Sequence, residues 1–396
     1  MLEHIYSQYL QLMARPVTPW QRYLFAELPH NEKLLGIVGA RGVGKTTLLL
    51  QKLREHQNYL QTGLYFSLDS LQASDVDLYE IATQFEREGG ELLVLDEVHH
   101  YPNFERTLKT IYDHLSLRVL FSGSSALHLQ HSKADLSRRA VIVSMAGLSF
   151  REYLNLTQKQ NFPAYSLAEI CANHLEITQT ICQHVRPLAS FKNYLETGYY
   201  PYFLQSTDSY LLKLSQTISL AIDLDLPKVF SIGADKLASI KKLLVLLGQS
   251  KPYELNIAKL AAAIGVSRNT VYAYLHYLEQ ASLLSSVWGE GKNTAMMAKP
   301  EKLYLSNPNN YFALCQQPDI GTLRETFFVS QLKHKHDVRY PAKADFLIDN
   351  QWLFEVGGAG KTNKQIAGAN KAYLALDDIE HGRNHRIPLW LFGFLY

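Results

Sequence analysis

Leu34-Leu35-Gly36-Ile37-Val38 is a short apolar run, and Gly39-Ala40-Arg41-Gly42-Val43-Gly44-Lys45-Thr46 follows it without a break. The second stretch fits the spacing G-x-x-x-x-G-K-[ST], and the TTLLLQKL segment that continues it has helical periodicity. A strand, a glycine-rich bend and a helix in that order read as a cradle for phosphate. Gly39 and Gly44 let backbone N–H groups turn toward phosphate oxygens, with Gly42 and Val43 in the bend. Lys45 is placed to neutralise the β- and γ-phosphates of ATP, and Thr46 to reach Mg²⁺. Thr47 caps the helix or touches phosphate at an N-terminus whose dipole favours anions.

The second half of such a site lies further along. Leu92-Leu93-Val94-Leu95 reads as a buried strand delivering Asp96, 51 residues beyond Lys45, to the Mg²⁺ shell. Glu97 is then placed to polarise the attacking water as general base. His99 and His100 follow with no partner at metal-ligand spacing, so they read as loop residues rather than ligands. The run RVLFSG (118–123) leads into Ser124-Ser125, where Ser124 or Ser125 either senses the γ-phosphate or caps the next helix. LYFSL (64–68) and AVIVS (140–144) complete five apolar runs with helix-length spacers, the pattern of βα units around a buried parallel sheet.

The chain has 396 residues, of which 47% are hydrophobic and 19% charged, enough apolar surface for several cores and too much for disorder. Lys plus Arg number 39 against 37 for Asp plus Glu, which excludes a histone-like polyanion binder but leaves room for a local basic patch. Cys171, Cys182 and Cys315 form no CxxC, against both a disulfide framework and a cysteine zinc site. The first residues, MLEHIYSQYLQLMARP, are amphipathic without an apolar core, and no window is free of polar residues over a membrane's width. The expectation is a cytoplasmic protein with no membrane span.

Residues 254–288 read as helix, turn, helix, strand. Ile257, Leu260, Ala261 and Ile264 form one apolar stripe, Gly265 turns the chain and Ser267 caps the second helix. Val271, Leu275 and Leu278 face a core, leaving Arg268, Asn269, Thr270, Ala273 and His276 outward for phosphates and base edges. Gly289 and Gly291 suit the turn of a hairpin wing. Between 236 and 299, eight Lys or Arg face three Glu, so the basic excess sits in this winged helix–turn–helix. A rigid lid or protein contact is the alternative use of such a module.

GARGVGKTTLL, LLVLDEVHHYPNFERTLKTIYD, FSGSSA, LSRRAVIVSMAGLSFREYL, ETGYYPYFL and the terminal LRETFFVSQL…ADFLID…LFEVGG together carry a likeness over nearly the whole chain. The chain resembles bacterial and archaeal AAA+-type ATPases with a winged helix and a C-terminal PD-(D/E)XK-like domain of unknown function. That resemblance implies an arginine at Arg139 contacting the γ-phosphate, in cis or in trans across a homo-oligomer, with Arg138 where the family has glycine. It also implies a nuclease-like acid set: Glu325 on a helix, with Asp345 and Glu355 on strands. The lysine expected two residues after the last acid is replaced by Gly357, and Lys361 beyond it is given no fixed geometry by that glycine. Little or no cleavage is therefore expected, and the domain reads as retained for interaction or DNA docking.

The expected fold class is α/β: a P-loop parallel-sheet ATPase core followed by a helical connector, a winged helix–turn–helix and a small α/β nuclease-like domain. The expected segments are 1–32, an N-terminal helical piece; 33–150, the ATPase core; 151–235, the connector; 236–299, the winged helix; and 300–396, the nuclease-like domain. The expected function is Mg-ATP binding and hydrolysis, with nucleotide state controlling a DNA-binding winged helix. The alternatives are a nucleotide-gated regulator or scaffold of negligible turnover, and an ATPase-coupled metal-dependent nuclease.

Overall fold

The computed structural model describes residues 2–396 apart from 71–75, 124–135, 137, 231, 253–254 and 292–298. The chain divides into two compact units, Met1–Gly147 and Leu148–Tyr396.

The first unit is built on five parallel strands, β1 (Leu34–Val38), β2 (Gly63–Ser67), β3 (Leu92–Asp96), β4 (Arg118–Gly123) and β5 (Val141–Ser144), in the order β2-β3-β4-β1-β5. They fall within one residue of the five apolar runs. β1 and β3 are buried along their whole length, as strands covered on both faces must be. The register sets the level of the site. Ile37 lies beside Ser122 and Leu95 beside Phe121, so Asp96 stands abreast of Ser122 at the carboxyl edge of the sheet. Open parallel sheets bind ligands along that edge.

The opening residues belong to this unit. Helix α1 (Leu2–Met13) buries Leu2, Ile5, Tyr9 and Met13 on one stripe and packs against β2. The amide of Gln51 on α2 (Lys45–Glu55) donates to the carbonyls of Thr18 (2.9 Å) and Trp20 (2.8 Å), tying down the extended stretch behind α1.

The second unit contains a seven-stranded mixed sheet of β6 (Leu284–Gly289), β7 (Lys302–Leu305), β8 (Val338–Tyr340), β9 (Phe346–Ile348), β10 (Trp352–Gly357), β11 (Ala372–Leu376) and β12 (Arg386–Pro388), ordered β12-β11-β10-β9-β8-β6-β7. Here the structure departs from the expected segments. The β6–β7 hairpin is not a free-standing wing, because the other edge of β6 pairs with β8 (Trp288 with Arg339, Gly289 with Tyr340). Residues 236–299 and 300–396 therefore share one sheet.

The connector is bound in as well. Phe150, just before it, and its own rings Phe191 and Tyr194 meet Phe327, Trp390 and Phe394 at centroid distances of 4.6–6.4 Å. Ser149 Oγ donates to the Tyr396 carbonyl at 2.7 Å. Burial of each such ring contributes about 1.5–3 kcal/mol, so the apolar C-terminal run IPLWLFGFLY acts as the keystone of this unit's core. Separate modules with separate cores would leave these rings exposed.

Candidate nucleotide site and a second ionic cluster

The loop after β1 has the backbone its sequence demands. Gly42 (φ 82°) and Gly44 (φ 103°) are left-handed, and a Cβ on Gly39 would run into the Met145 carbonyl. Gly44 caps α2 without a side chain, and the helix first closes with Leu48 N–H on the Gly44 carbonyl. The amides before it point out of the helix end, an arrangement suited to anions. Val43 is fully buried, Thr47 half-buried and Gly42 exposed. Lys45 is buried, and its Nζ donates to the carbonyls of Gly39 and Ala40 at 3.0 Å each, folded over the cradle it is meant to serve.

The two halves of the site meet. Thr46 Oγ1 donates to Asp96 Oδ2 at 2.7 Å, and Tyr65 OH donates to the same oxygen at 2.8 Å. Ser122 Oγ donates to Asp96 Oδ1 and accepts from the Glu97 N–H at 3.1 Å. Burial, with Asp96 beside it, pushes the Tyr65 phenol far above its ordinary value, so it remains a donor. Sequence reading missed Tyr65 and passed over Ser122 in favour of Ser124, which lies outside the described residues. The available signal was register: Ser122 is the β4 residue abreast of Asp96.

Glu97 leaves the strand in left-handed backbone (φ 53°, ψ 46°), a conformation costing a non-glycine residue roughly 1–3 kcal/mol. It opens a 3₁₀ turn over Val98–His100. Glu97 Oε2 lies 3.4 Å from His99 Nδ1, and one ligand atom from each of Glu97, His99 and His100 falls within 4.8 Å of the others.

Arg22 is a further participant that no motif signals. It is buried, and its guanidinium donates to the carbonyls of Val43 (2.5 Å), Ala146 (2.9 Å) and Gly147 (2.8 Å).

Arg139 does not reach this site within the chain. It precedes β5, whose Val141 pairs with Leu35, so it sits at the amino edge of the sheet. Gly39 leaves the opposite edge, about 13–17 Å away at 3.2–3.4 Å per strand residue. There Arg139 makes a two-pronged bond to Asp113 (2.7 and 3.0 Å), so of the two contacts left open, cis and trans, this register does not form the cis one. Arg138 is exposed beside it.

In the second unit, helices Ile257–Ile264 and Arg268–Gln280 join through left-handed Gly265 (φ 73°), and Ser267 Oγ accepts from Thr270 N–H at 3.1 Å. Arg268 and Asn269 are exposed and Thr270 half-buried. Asn269, Thr270 and Ala273 border a groove with Phe230 and Lys236, and the Phe230 ring stacks on Tyr277 at 4.0 Å.

The three nuclease-like carboxylates do gather, and two lysines gather with them. Lys361 Nζ donates to Asp345 Oδ2 (2.6 Å) and the Val356 carbonyl (2.9 Å) and pairs with Glu355 Oε2 (2.6 Å). This overturns the expectation that Lys361 lacks a fixed place. A Cβ at position 357 would collide with the Lys361 side chain, so the glycine is what admits it. Lys302, buried on β7, donates to Glu325 Oε2 (3.0 Å) and Asp345 Oδ1 (3.3 Å), and Tyr304 OH donates to Glu325 Oε2 at 2.5 Å. Burial pushes Glu355 up. At Asp345 burial acts the same way, but the two ammonium groups outweigh it and hold the carboxyl below its ordinary value.

Residues 31–154 match the protein family described as an AAA domain, and residues 188–314 match a domain of unknown function, DUF8612. The chain is 26% identical over 371 residues to Uncharacterized protein MJ1637 of Methanocaldococcus jannaschii, covering 85% of this chain and 78% of that one. Among solved structures it is similar to AMPPCP-bound DnaA from Aquifex aeolicus (13% identity, 65% of this chain, 86% of that chain, TM-score 0.25). It is also similar to C. elegans PCH-2 (12% identity, 71% and 66%, TM-score 0.25). The AAA match falls on the residues that build the phosphate loop and its acids, and it supports an AAA+-type nucleotide-binding core. No described helix is long and apolar enough to cross a membrane.

Proposed function

We propose that this chain binds Mg-ATP, hydrolyses it, and uses the nucleotide state of its first unit to govern a DNA-binding winged helix–turn–helix in its second. The observation that carries the reading is the 2.7 Å bond between Thr46 Oγ1 and Asp96 Oδ2, which joins two motifs 50 residues apart. A hydroxyl and a carboxylate are oxygen donors suited to Mg²⁺, and Tyr65 and Ser122 hold the carboxylate in place. Bound there, Mg²⁺ would supply charge neutralisation of the phosphate oxygens. Lys45 exchanges its two loop carbonyls for phosphate oxygens, and the α2 amides donate to the same anion. Glu97, aimed off the strand end by its left-handed backbone, takes the proton of the attacking water. Arg139, at the far edge of the sheet, contributes only in trans, to the nucleotide of a neighbouring copy in a homo-oligomer.

Glu97→Gln tests the enzyme. ATP turnover falls by about 10²–10⁴ while ATP affinity holds, as expected on removing a general base. Absent wild-type turnover with intact ATP binding would instead favour the nucleotide-gated regulator. Arg268→Ala tests the DNA arm: in shift assays at graded salt, binding weakens and the slope against log salt falls by about one unit. Unchanged binding would make the module a lid.

The second cluster favours the reading without cleavage. The Lys302 ammonium stands between Glu325 and Asp345, where a nuclease would hold its cation, and each carboxylate of the cluster already has an ammonium partner.

A further inference from the structure

We propose that Glu97, His99 and His100 form a second cation site, for a borderline divalent transition ion such as Zn²⁺, Co²⁺ or Ni²⁺, and that filling it withdraws Glu97 from water activation. The site depends on backbone. In an extended continuation of β3, Glu97 and His99 would share one face and His100 would point to the other. The left-handed turn at Glu97 followed by the 3₁₀ turn through His100 instead brings all three ligand atoms within 4.8 Å of one another.

The spacing has a specific meaning. With Zn–N and Zn–O bonds of 2.0–2.1 Å, the edge of a tetrahedron is about 3.3–3.4 Å, which the 3.4 Å separation of Glu97 Oε2 and His99 Nδ1 already matches. The His100 ring, 4.4 Å from that of His99 between centroids and half-buried, closes the third corner by side-chain rotation. The fourth corner is left for water.

The donor set also sorts the cations. Thr46 and Asp96 offer only oxygen and suit Mg²⁺, whereas two imidazoles with one carboxylate suit zinc and its neighbours, so adjacent residues serve different ions. A carboxylate bound to such an ion has its lone pairs engaged and is a poor base. Turnover then responds to transition-metal concentration at constant Mg-ATP. This consequence rests on the role proposed for Glu97; the binding does not.

The test uses the full chain, stripped by chelator, in excess Mg²⁺. Calorimetry with ZnCl₂ should give one equivalent bound, and CoCl₂ should produce the visible absorption of a tetrahedral site, which zinc abolishes. His100→Ala, at a half-exposed position that leaves the core alone, should weaken uptake at least tenfold, roughly the lower end of what loss of a group one shell further out costs. His99→Gln should do the same, and Lys45→Ala should leave uptake unchanged. In the wild type zinc should lower Mg-ATP turnover by about 10², the scale of a general base, and in His100→Ala the ratio with and without zinc should approach one. Absence of uptake by the wild type, or uptake in both histidine variants equal to that of the wild type, overturns the site. Uptake lost in both variants with wild-type turnover indifferent to zinc upholds the site and overturns Glu97 as the base.

Discussion

The phosphate loop and the C-terminal ionic cluster both set carboxylates near lysine, yet they differ in what neutralises the acid. Around Asp96 the hydroxyls of Thr46, Tyr65 and Ser122 donate, while Lys45 donates to loop carbonyls. Around Glu325, Asp345 and Glu355 two ammonium groups lie within 3.3 Å. Hydroxyls are donors a cation can displace or share, whereas an ammonium on a buried stem already is the cation. The first arrangement waits for a charge from outside, and the second carries its own.

That contrast breaks most sharply on stability. Lys361→Met strands Glu355 and leaves Asp345 to Lys302 alone, and should cost about 3 kcal/mol in denaturant unfolding, the penalty for breaking a buried pair from one side. Asp96→Asn, which removes a charge without orphaning one, should cost less than about 1 kcal/mol while abolishing Mg²⁺-dependent nucleotide binding. Equal losses would erase the distinction.

The pH dependence sharpens it. Asp345 is held below its ordinary value, so its stabilisation is present above about pH 4 and is lost as pH falls through the depressed folded value. The gap between wild type and Lys361→Met should therefore be widest near neutrality and narrow in acid. Glu355, raised by burial, works in the opposite sense and trims the net gain as pH rises through its folded value.

A smaller effect is expected at Arg22. Arg22→Met leaves the Val43, Ala146 and Gly147 carbonyls without their donor, costing about 2 kcal/mol and loosening nucleotide binding in calorimetry. Smallest is Asp113→Asn at the amino edge, an exposed pair whose loss should leave the denaturant midpoint unchanged.

The phosphate-loop region was legible because its constraints are local: five apolar runs, glycines forced by backbone, and a lysine and threonine at fixed offsets. Long-range geometry was not. Arg22 acts on residues 21 and 124–125 positions away, and nothing in its own neighbourhood marks it. Lys302 and Lys361 come together only through a sheet whose strand order departs from chain order, and Gly357 read as a defect when it is the gap through which Lys361 passes. The five expected segments collapsed to two units because an apolar tail says that it needs burial, not what buries it.

The reach of Arg22 has a mechanical consequence. One guanidinium grips the peptide of Val43 in the cradle and the peptides of Ala146 and Gly147, where the chain passes out of the first unit. While that fork holds, the cradle cannot reshape around an incoming anion without straining the peptides of Ala146 and Gly147, so the cradle and the last residues of its own unit are held as one piece.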